Sequence, residues 1–218
     1  QGNEVISLPQ GGKTSLDTNL KRASMAFVTI GAATDPGGKK EENQDYYAYH
    51  VPESGSKKGI LMALADGMGG RSGGKLASKI AVEVLMEEYY KDTSHNIPES
   101  LERAVLKANR EVWNRGYNDI NLKGMATTLT SVVLKENLMY FAHVGDSRGY
   151  LISERNISRF TEDHSFVAEL VKAGHITEEE AATHPDSNII TRALGLDSQV
   201  KPDVSRSPQK ISEGQYII

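Results

Sequence analysis

The chain of 218 residues is 38% hydrophobic and 25% charged, the composition of an ordinary globular domain, which excludes wholesale disorder and collagen-like or low-complexity classes. A net charge of −4, from 25 basic and 29 acidic residues, provides no general attraction for nucleic acid or an anionic membrane, and no window approaches the ~20 apolar residues of a bilayer span. The absence of cysteine excludes disulfides, thiolate metal sites and cysteine nucleophiles and fits a cytoplasmic protein, leaving carboxylates, hydroxyls, imidazoles and backbone to do any chemistry.

Residues 1–24 are rich in Gly, Ser, Thr, Asn and Lys without sustained periodicity and read as a flexible N-terminal extension, tag or linker, with the domain occupying residues 25–218. A strand is predicted from Ala26 to Gly31, followed by a turn at Asp35-Pro36-Gly37-Gly38. A second strand fits Tyr46 to Val51. A third fits Ile60 to Ala65, a continuous apolar run expected to be buried on both faces and to end at Asp66-Gly67. Apolar residues at three- and four-residue spacing then predict a helix from about Gly74 to Tyr90, and a second with Pro98 in its first turn and Gly116 as its stop. Thr127–Leu134 and Asn137–Val144 read as strands joined by a tight turn, with another strand over Gly149–Ser153. After Asp163-His164-Ser165 the pattern becomes helical, and Thr177 and Glu180 have capping-box spacing. Strand patterns return at Lys201–Ser205 and Gln215–Ile218. Strands, two long helices, then hairpin-linked strands indicate an α+β fold with mainly antiparallel sheets.

Three acidic residues stand where strands should end: Asp45, Asp66 and Asp146. Carboxylates from strand ends can converge on a hard divalent cation, and oxygen-only ligation fits Mg²⁺ or Mn²⁺. Two carboxylates ~4 Å apart repel by about 4 kcal/mol at an effective dielectric of 20, so such a cluster needs a cation, a shared proton or more separation. Gly67 has no Cβ, so its backbone can approach an ion and its carbonyl can serve as a ligand. Each element also has a plainer reading. Asp66-Gly67 read alone is usually just a turn, Asp146-Ser147-Arg148 could be a hairpin with Arg148 paired to a carboxylate on the surface, and Lys39-Lys40 is most simply a solvated loop pair. The spacings of His143, His164 and His184 match no compact histidine metal motif, so they read as structural or flanking.

In chain order, Lys40-Glu41-Glu42-Asn43-Gln44-Asp45, Ala65-Asp66-Gly67-Met68-Gly69-Gly70, Ala126-Thr127-Thr128, His143-Val144-Gly145-Asp146-Ser147-Arg148, Thr161-Glu162-Asp163-His164-Ser165 and Asn188-Ile189-Ile190-Thr191-Arg192-Ala193-Leu194-Gly195 resemble the PPM family, the protein phosphatase 2C type of metal-dependent Ser/Thr phosphatases, in its bacterial form. The resemblance runs from about Met25 to the last residue. It implies a four-layer α/β/β/α sandwich of two mainly antiparallel sheets flanked by helices, with two central Mn²⁺ or Mg²⁺ ions and a third, weaker one. By the same resemblance Asp66 bridges the central ions, the Gly67 carbonyl and the water shell held by Asp45 serve one of them, and Asp146 serves the third. Lys40 stands where the family usually has a phosphate-contacting Arg, and Thr127 and Thr128 match a buried supporting pair. The implied reaction is hydrolysis of phosphoserine and phosphothreonine in phosphoproteins by a metal-activated water. An opposing bacterial Ser/Thr kinase is the implied partner, and the segment from His164 to Ala193 corresponds to a variable flap.

The sequence departs from the pattern at four places. Lys40 loses the two-pronged geometry of Arg. Ala126 replaces a customary glycine and would be strained at positive φ. Met68 replaces the histidine of animal members, which leaves the leaving group to be protonated by water. The chain also stops before a family Ser-Asp-Gly turn and a later Asp-Asn pair, so the expected sandwich lacks its last strands. That departure keeps open a second reading, a catalytically impaired phosphatase-like fragment acting as a binding module. A third is a different Mg²⁺-dependent phosphoesterase.

Overall fold

The computed structural model describes residues 19–23, 26–36, 42–53 and 55–218. Strands β1 (Asn19–Ala23) and β2 (Ala26–Ile30) form an antiparallel pair. β1 falls within the stretch read above as an extension, and the rest of that stretch lies outside the described residues. The main sheet runs in the order β10 (Asp203–Val204), β7 (Leu138–Val144), β6 (Leu129–Lys135), β4 (Ile60–Met68), β3 (Asp45–His50), with β5 (Ala126–Thr127) continuing beside β4 and β11 (Gln209–Lys210) beside β7. Every pairing in it is antiparallel. A smaller sheet has the order β12 (Tyr216–Ile217), β8 (Tyr150–Ser153), β9 (Asn156–Arg159). The helices are α1 (Gly70–Lys91), α2 (Ile97–Asn118), α3 (Phe166–Lys172) and α4 (Glu178–Ala182).

Strand alternation sorts the main sheet into two faces. Leu61, Ala63 and Ala65 of β4 point to the same side as Val133, Ala142 and Val144, and there meet Ala81, Leu85, Met86 and Tyr89 of α1 and Leu101, Val105 and Val112 of α2 in one buried cluster. Each fully buried Leu or Met in it contributes about 1.5–3 kcal/mol of apolar transfer. The other face carries Ile60, Val132, Leu134 and Met139, which pack with Tyr49, Phe160 and Ile217, so the two sheets face one another. Along this second face of β4 the cover thins, from Ile60 at 7% exposed to Leu64 at 41%. The expected burial of β4 on both faces therefore fails near Leu64, and the sandwich opens toward Asp66.

The structure departs from the predicted elements in several places. β4 continues through Asp66-Gly67 to Met68 because Gly67 and Met68 find partners in Thr127 and Ala126 of β5. Gly116 does not stop α2, which runs on to Asn118. A Cβ there would lie 3.1 Å from both the Leu122 carbonyl oxygen and Met125 Cγ, so its smallness serves close packing. β9 and β11, short and largely polar, carried no strand signal. The capping box at Thr177 and Glu180 forms as the spacing predicts.

Candidate active site

The open end of the sandwich collects the start of β3, the end of β4, the start of β6 and the end of β7. Asp45 and Asp66 are register partners there. The Gly67 N–H donates to the Gln44 carbonyl (3.1 Å), which makes Gln44 and Gly67 the hydrogen-bonded pair and Asp45 and Asp66 the non-hydrogen-bonded one. In such a pair the Cα atoms lie about 4.5 Å apart and the side chains project side by side from one face. Like charges at directly opposed positions destabilise a ladder, and a cation between them reverses the sign of that interaction.

Asp45 is aimed by its neighbours. Thr34 Oγ1 donates to Asp45 Oδ2 (3.1 Å) and accepts from Asn43 Nδ2 (2.7 Å), and Asn43 Oδ1 accepts from the Asp45 N–H (2.9 Å). Ser78 of α1 donates to the Gln44 carbonyl (2.6 Å), and Lys75 pairs with Glu42 (2.8 Å), which docks this loop on the start of α1.

Asp66 is clamped through its backbone. Its N–H donates to Thr128 Oγ1 (2.9 Å), while its carbonyl accepts from the Thr128 N–H (3.0 Å) and from Thr127 Oγ1 (2.9 Å). Both threonines are buried. With the Asp66 N–H and C=O both turned to β6, alternation turns those of Gly67 toward β3, the side of Asp45. A Cβ on Gly67 would stand 2.0 Å from the Gly74 carbonyl oxygen, so only glycine fits between β4 and α1. Ala126 does not have positive φ: among the described residues Glu136 is the one non-glycine that does, and the expected strain at Ala126 is absent.

Asp146 follows β7 at the same end of the sheet. Its neighbour Ser147 hydrogen-bonds Thr128 Oγ1 (2.8 Å), so a single threonine touches both the Asp66 backbone and the Asp146 loop. Burial raises the Asp146 carboxyl above its ordinary value and the nearby Asp163 adds to this, against a backbone hydrogen bond and Arg148. Arg148 forks onto Asp163 (2.6 and 3.0 Å), which also accepts from Arg159 (3.3 Å), so the carboxylate partner expected for Arg148 is Asp163. Asp146 and these ion pairs form one wall of a cavity of about 810 Å³ whose other wall includes Val167 and Lys172 of α3 and Ala181 of α4.

The structure thus brings Asp45, Asp66 and Gly67 together and places Asp146 across β6 from them. Among the described residues no three acidic or histidine side chains converge into one cluster. Lys40 lies outside the described residues. His143 and His164 are buried beside the site, their rings 4.9 Å apart. His143 Nε2 faces the carbonyls of Gly145 and Glu162 (both 3.0 Å) and so carries the proton, and Nδ1 accepts from Thr130 Oγ1 (2.9 Å). Burial, with His164 adding, holds its pKa down at about 4. Thr34, which contacts Asp45, and Asp203, which pairs with His164 and Arg192, gave no signal in the sequence, whereas Arg192 stands inside a motif already singled out.

Residues 38–195 match the protein phosphatase 2C family. Protein phosphatase PhpP of Streptococcus pneumoniae is 37% identical over 194 residues, which cover 88% of this chain and 76% of that protein. The crystal structure of serine/threonine phosphatase Stp1 from Staphylococcus aureus is similar at a TM-score of 0.75 and 32% identity, over 93% of this chain and 77% of that one. The catalytic domain of serine/threonine protein phosphatase PstP, whose crystal structure holds two manganese ions, gives a TM-score of 0.68 at 30% identity, over 84% of this chain and 72% of that one.

Proposed function

The chain belongs to the protein phosphatase 2C family, and on that premise we propose that its strand-end carboxylates hold divalent cations for the hydrolysis of phosphoserine and phosphothreonine in phosphoproteins. The observation that carries this reading is the facing of Asp45 and Asp66 across the β3–β4 ladder at the open end of the sandwich. The donor set is carboxylate and carbonyl oxygen, which suits Mn²⁺ or Mg²⁺. Asp66 and Asp45 would hold the central ions with the Gly67 carbonyl, and Asp146 would hold a third.

When bound, the ions supply an acidified water and neutralise charge developing on the phosphoryl oxygens. The chain's own residues supply rigidity and placement. Thr127 and Thr128 fix the backbone of Asp66, and Thr34 fixes one oxygen of Asp45, so the carboxylates need not reorganise as the reaction proceeds. Lys40 would meet the phosphate as a point charge. Met68 carries no transferable proton, so the leaving oxygen takes its proton from solvent. Ser/Thr kinases are the reaction class that supplies such substrates, and we take the opposing partner to be one, in the cytoplasm.

The test is release of inorganic phosphate from a phosphothreonine peptide with Mn²⁺. Turnover that is stopped by EDTA and by Asp66→Asn is expected. A folded, Mn²⁺-loaded protein that releases no phosphate would refute the proposal.

A further inference from the structure

His164, 1% exposed, is bonded to Gly145 in the loop that follows β7, and both of its ring nitrogens are engaged. The Gly145 N–H donates to its Nδ1 (3.0 Å). A backbone N–H can only donate, so Nδ1 is the acceptor and the proton resides on Nε2, which donates to Asp203 Oδ2 (3.0 Å). Asp203 Oδ1 accepts from Arg192 Nη1 (3.0 Å). The backbone of His164 is engaged as well: its N–H donates to the Gly145 carbonyl (2.8 Å) and its carbonyl accepts from the Thr191 N–H (2.9 Å). Gly145 therefore gives both its N–H and its carbonyl to one residue.

These hydrogen bonds, one close packing contact and a short stretch of chain together close a ring. Gly145, at φ +116°, lies so close to Thr128 that a Cβ would stand 2.6 Å from the Thr128 Cβ, and Thr128 holds the Asp66 N–H. On the other side Arg192 is two residues before Leu194, whose N–H and carbonyl pair with those of Thr127 (2.9 and 3.0 Å), and Thr127 Oγ1 holds the Asp66 carbonyl. The path from Asp66 through Thr128, Gly145, His164, Asp203, Arg192, Leu194 and Thr127 returns to Asp66.

We propose that His164 is a positioning residue for the Asp146 carboxylate: it grips Gly145, is anchored on Asp203 and Arg192, and so sets the loop that carries Asp146 relative to Asp66. The inference rests on the reading of Asp146 as a cation ligand. Its physical content is preorganisation, since a ligand whose backbone is pinned on both sides loses less freedom on taking up an ion. An imidazole suits the task because it offers an acceptor on one edge and a donor on the far edge. Asparagine places an oxygen near the former Nδ1 and falls short of Asp203, whereas glutamine reaches toward Asp203 and leaves the Gly145 N–H without its acceptor.

The experiment compares His164→Asn and His164→Gln by exchange of the Gly145 amide proton in metal-free protein, by Mn²⁺ binding followed by electron paramagnetic resonance, and by the Mn²⁺ dependence of aryl phosphate hydrolysis. His164→Gln should speed Gly145 exchange and raise the Mn²⁺ concentration for half-occupancy of the weakest site by about 10-fold or more, with His164→Asn intermediate. In an Asp146→Asn background His164→Gln should add no further shift. A shift that adds in full to that of Asp146→Asn, or a lowered melting temperature with Mn²⁺ binding and Gly145 exchange unchanged, would overturn the proposal. A wild-type chain without turnover that still shows the Mn²⁺ and exchange changes would refute the phosphatase reading and support this one.

Discussion

Asp45 and Asp66 face each other at a non-hydrogen-bonded position of the β3–β4 ladder, at the end of the sandwich where the inter-sheet cover has thinned. If this pair holds a cation as proposed, the opposed carboxylates should cost stability in metal-free protein and return it when the ion binds, and the two effects can be separated by experiment.

Asp45→Asn retains an acceptor for Thr34 Oγ1 and removes one charge of the pair. Metal-free Asp45→Asn should be more stable than the parent by about 0.2–1 kcal/mol, and the gain in melting temperature on adding Mn²⁺ should shrink. Calorimetry with EDTA and with Mn²⁺ reads both changes. Equal stabilisation of parent and variant by Mn²⁺ would contradict the ligand role of Asp45.

Asp66 would serve the central ions and Asp146 a peripheral one. Asp66→Asn should therefore lower Mn²⁺-dependent hydrolysis of a simple aryl phosphate by at least about 100-fold, and Asp146→Asn by roughly 10-fold, the difference between losing several kcal/mol of charge stabilisation and losing a supporting site. Steady-state rates at saturating Mn²⁺ measure this, and equal losses would reverse the ranking.

Thr128→Val keeps the shape of the side chain and leaves the Asp66 N–H without its acceptor. The cost should be about 1–3 kcal/mol in urea unfolding, and Thr128→Ser should recover most of it. A neutral Thr128→Val would mean that the clamp on Asp66 does not contribute to stability.

His143 binds a proton far less readily when folded, at about 4, than the unfolded value of about 6.5. The unfolded state therefore takes up more protons in this range, and the stabilisation, complete above pH 6.5, is lost as the pH falls toward 4. The difference is worth on the order of 3 kcal/mol. Urea unfolding from pH 7 to 4.5 should show this slope, and His143→Gln, although less stable at neutral pH, should show a shallower one.

The helices α1 and α2 and strands β3, β4, β6 and β7 were legible from apolar periodicity because each buries a continuous face. β9 and β11 were not, since short polar strands are defined by their partners. The extension of β4 beyond Ala65 escaped notice for a related reason: Asp66-Gly67 is turn chemistry locally, and only Thr127, Thr128 and Gln44 supply the hydrogen bonds that keep it extended. The spacing of the histidines at 143 and 164 gave only a structural or flanking reading, and nothing in the chain linked His164 to Asp203, which is 39 positions away.

The order of its acidic motifs, its apolar patterning and its lack of thiols settled from the amino-acid sequence alone that this is an α+β domain with oxygen donors at strand ends. Which donors meet was decided by tertiary structure. Antiparallel register sets Asp45 against Asp66 and leaves Asp146 across β6, because a shift of one residue in either strand would turn its carboxylate to the helix-covered face. The ring of hydrogen bonds and close packing through Thr128 and His164 exists only once β4, β6, β7 and β10 lie side by side.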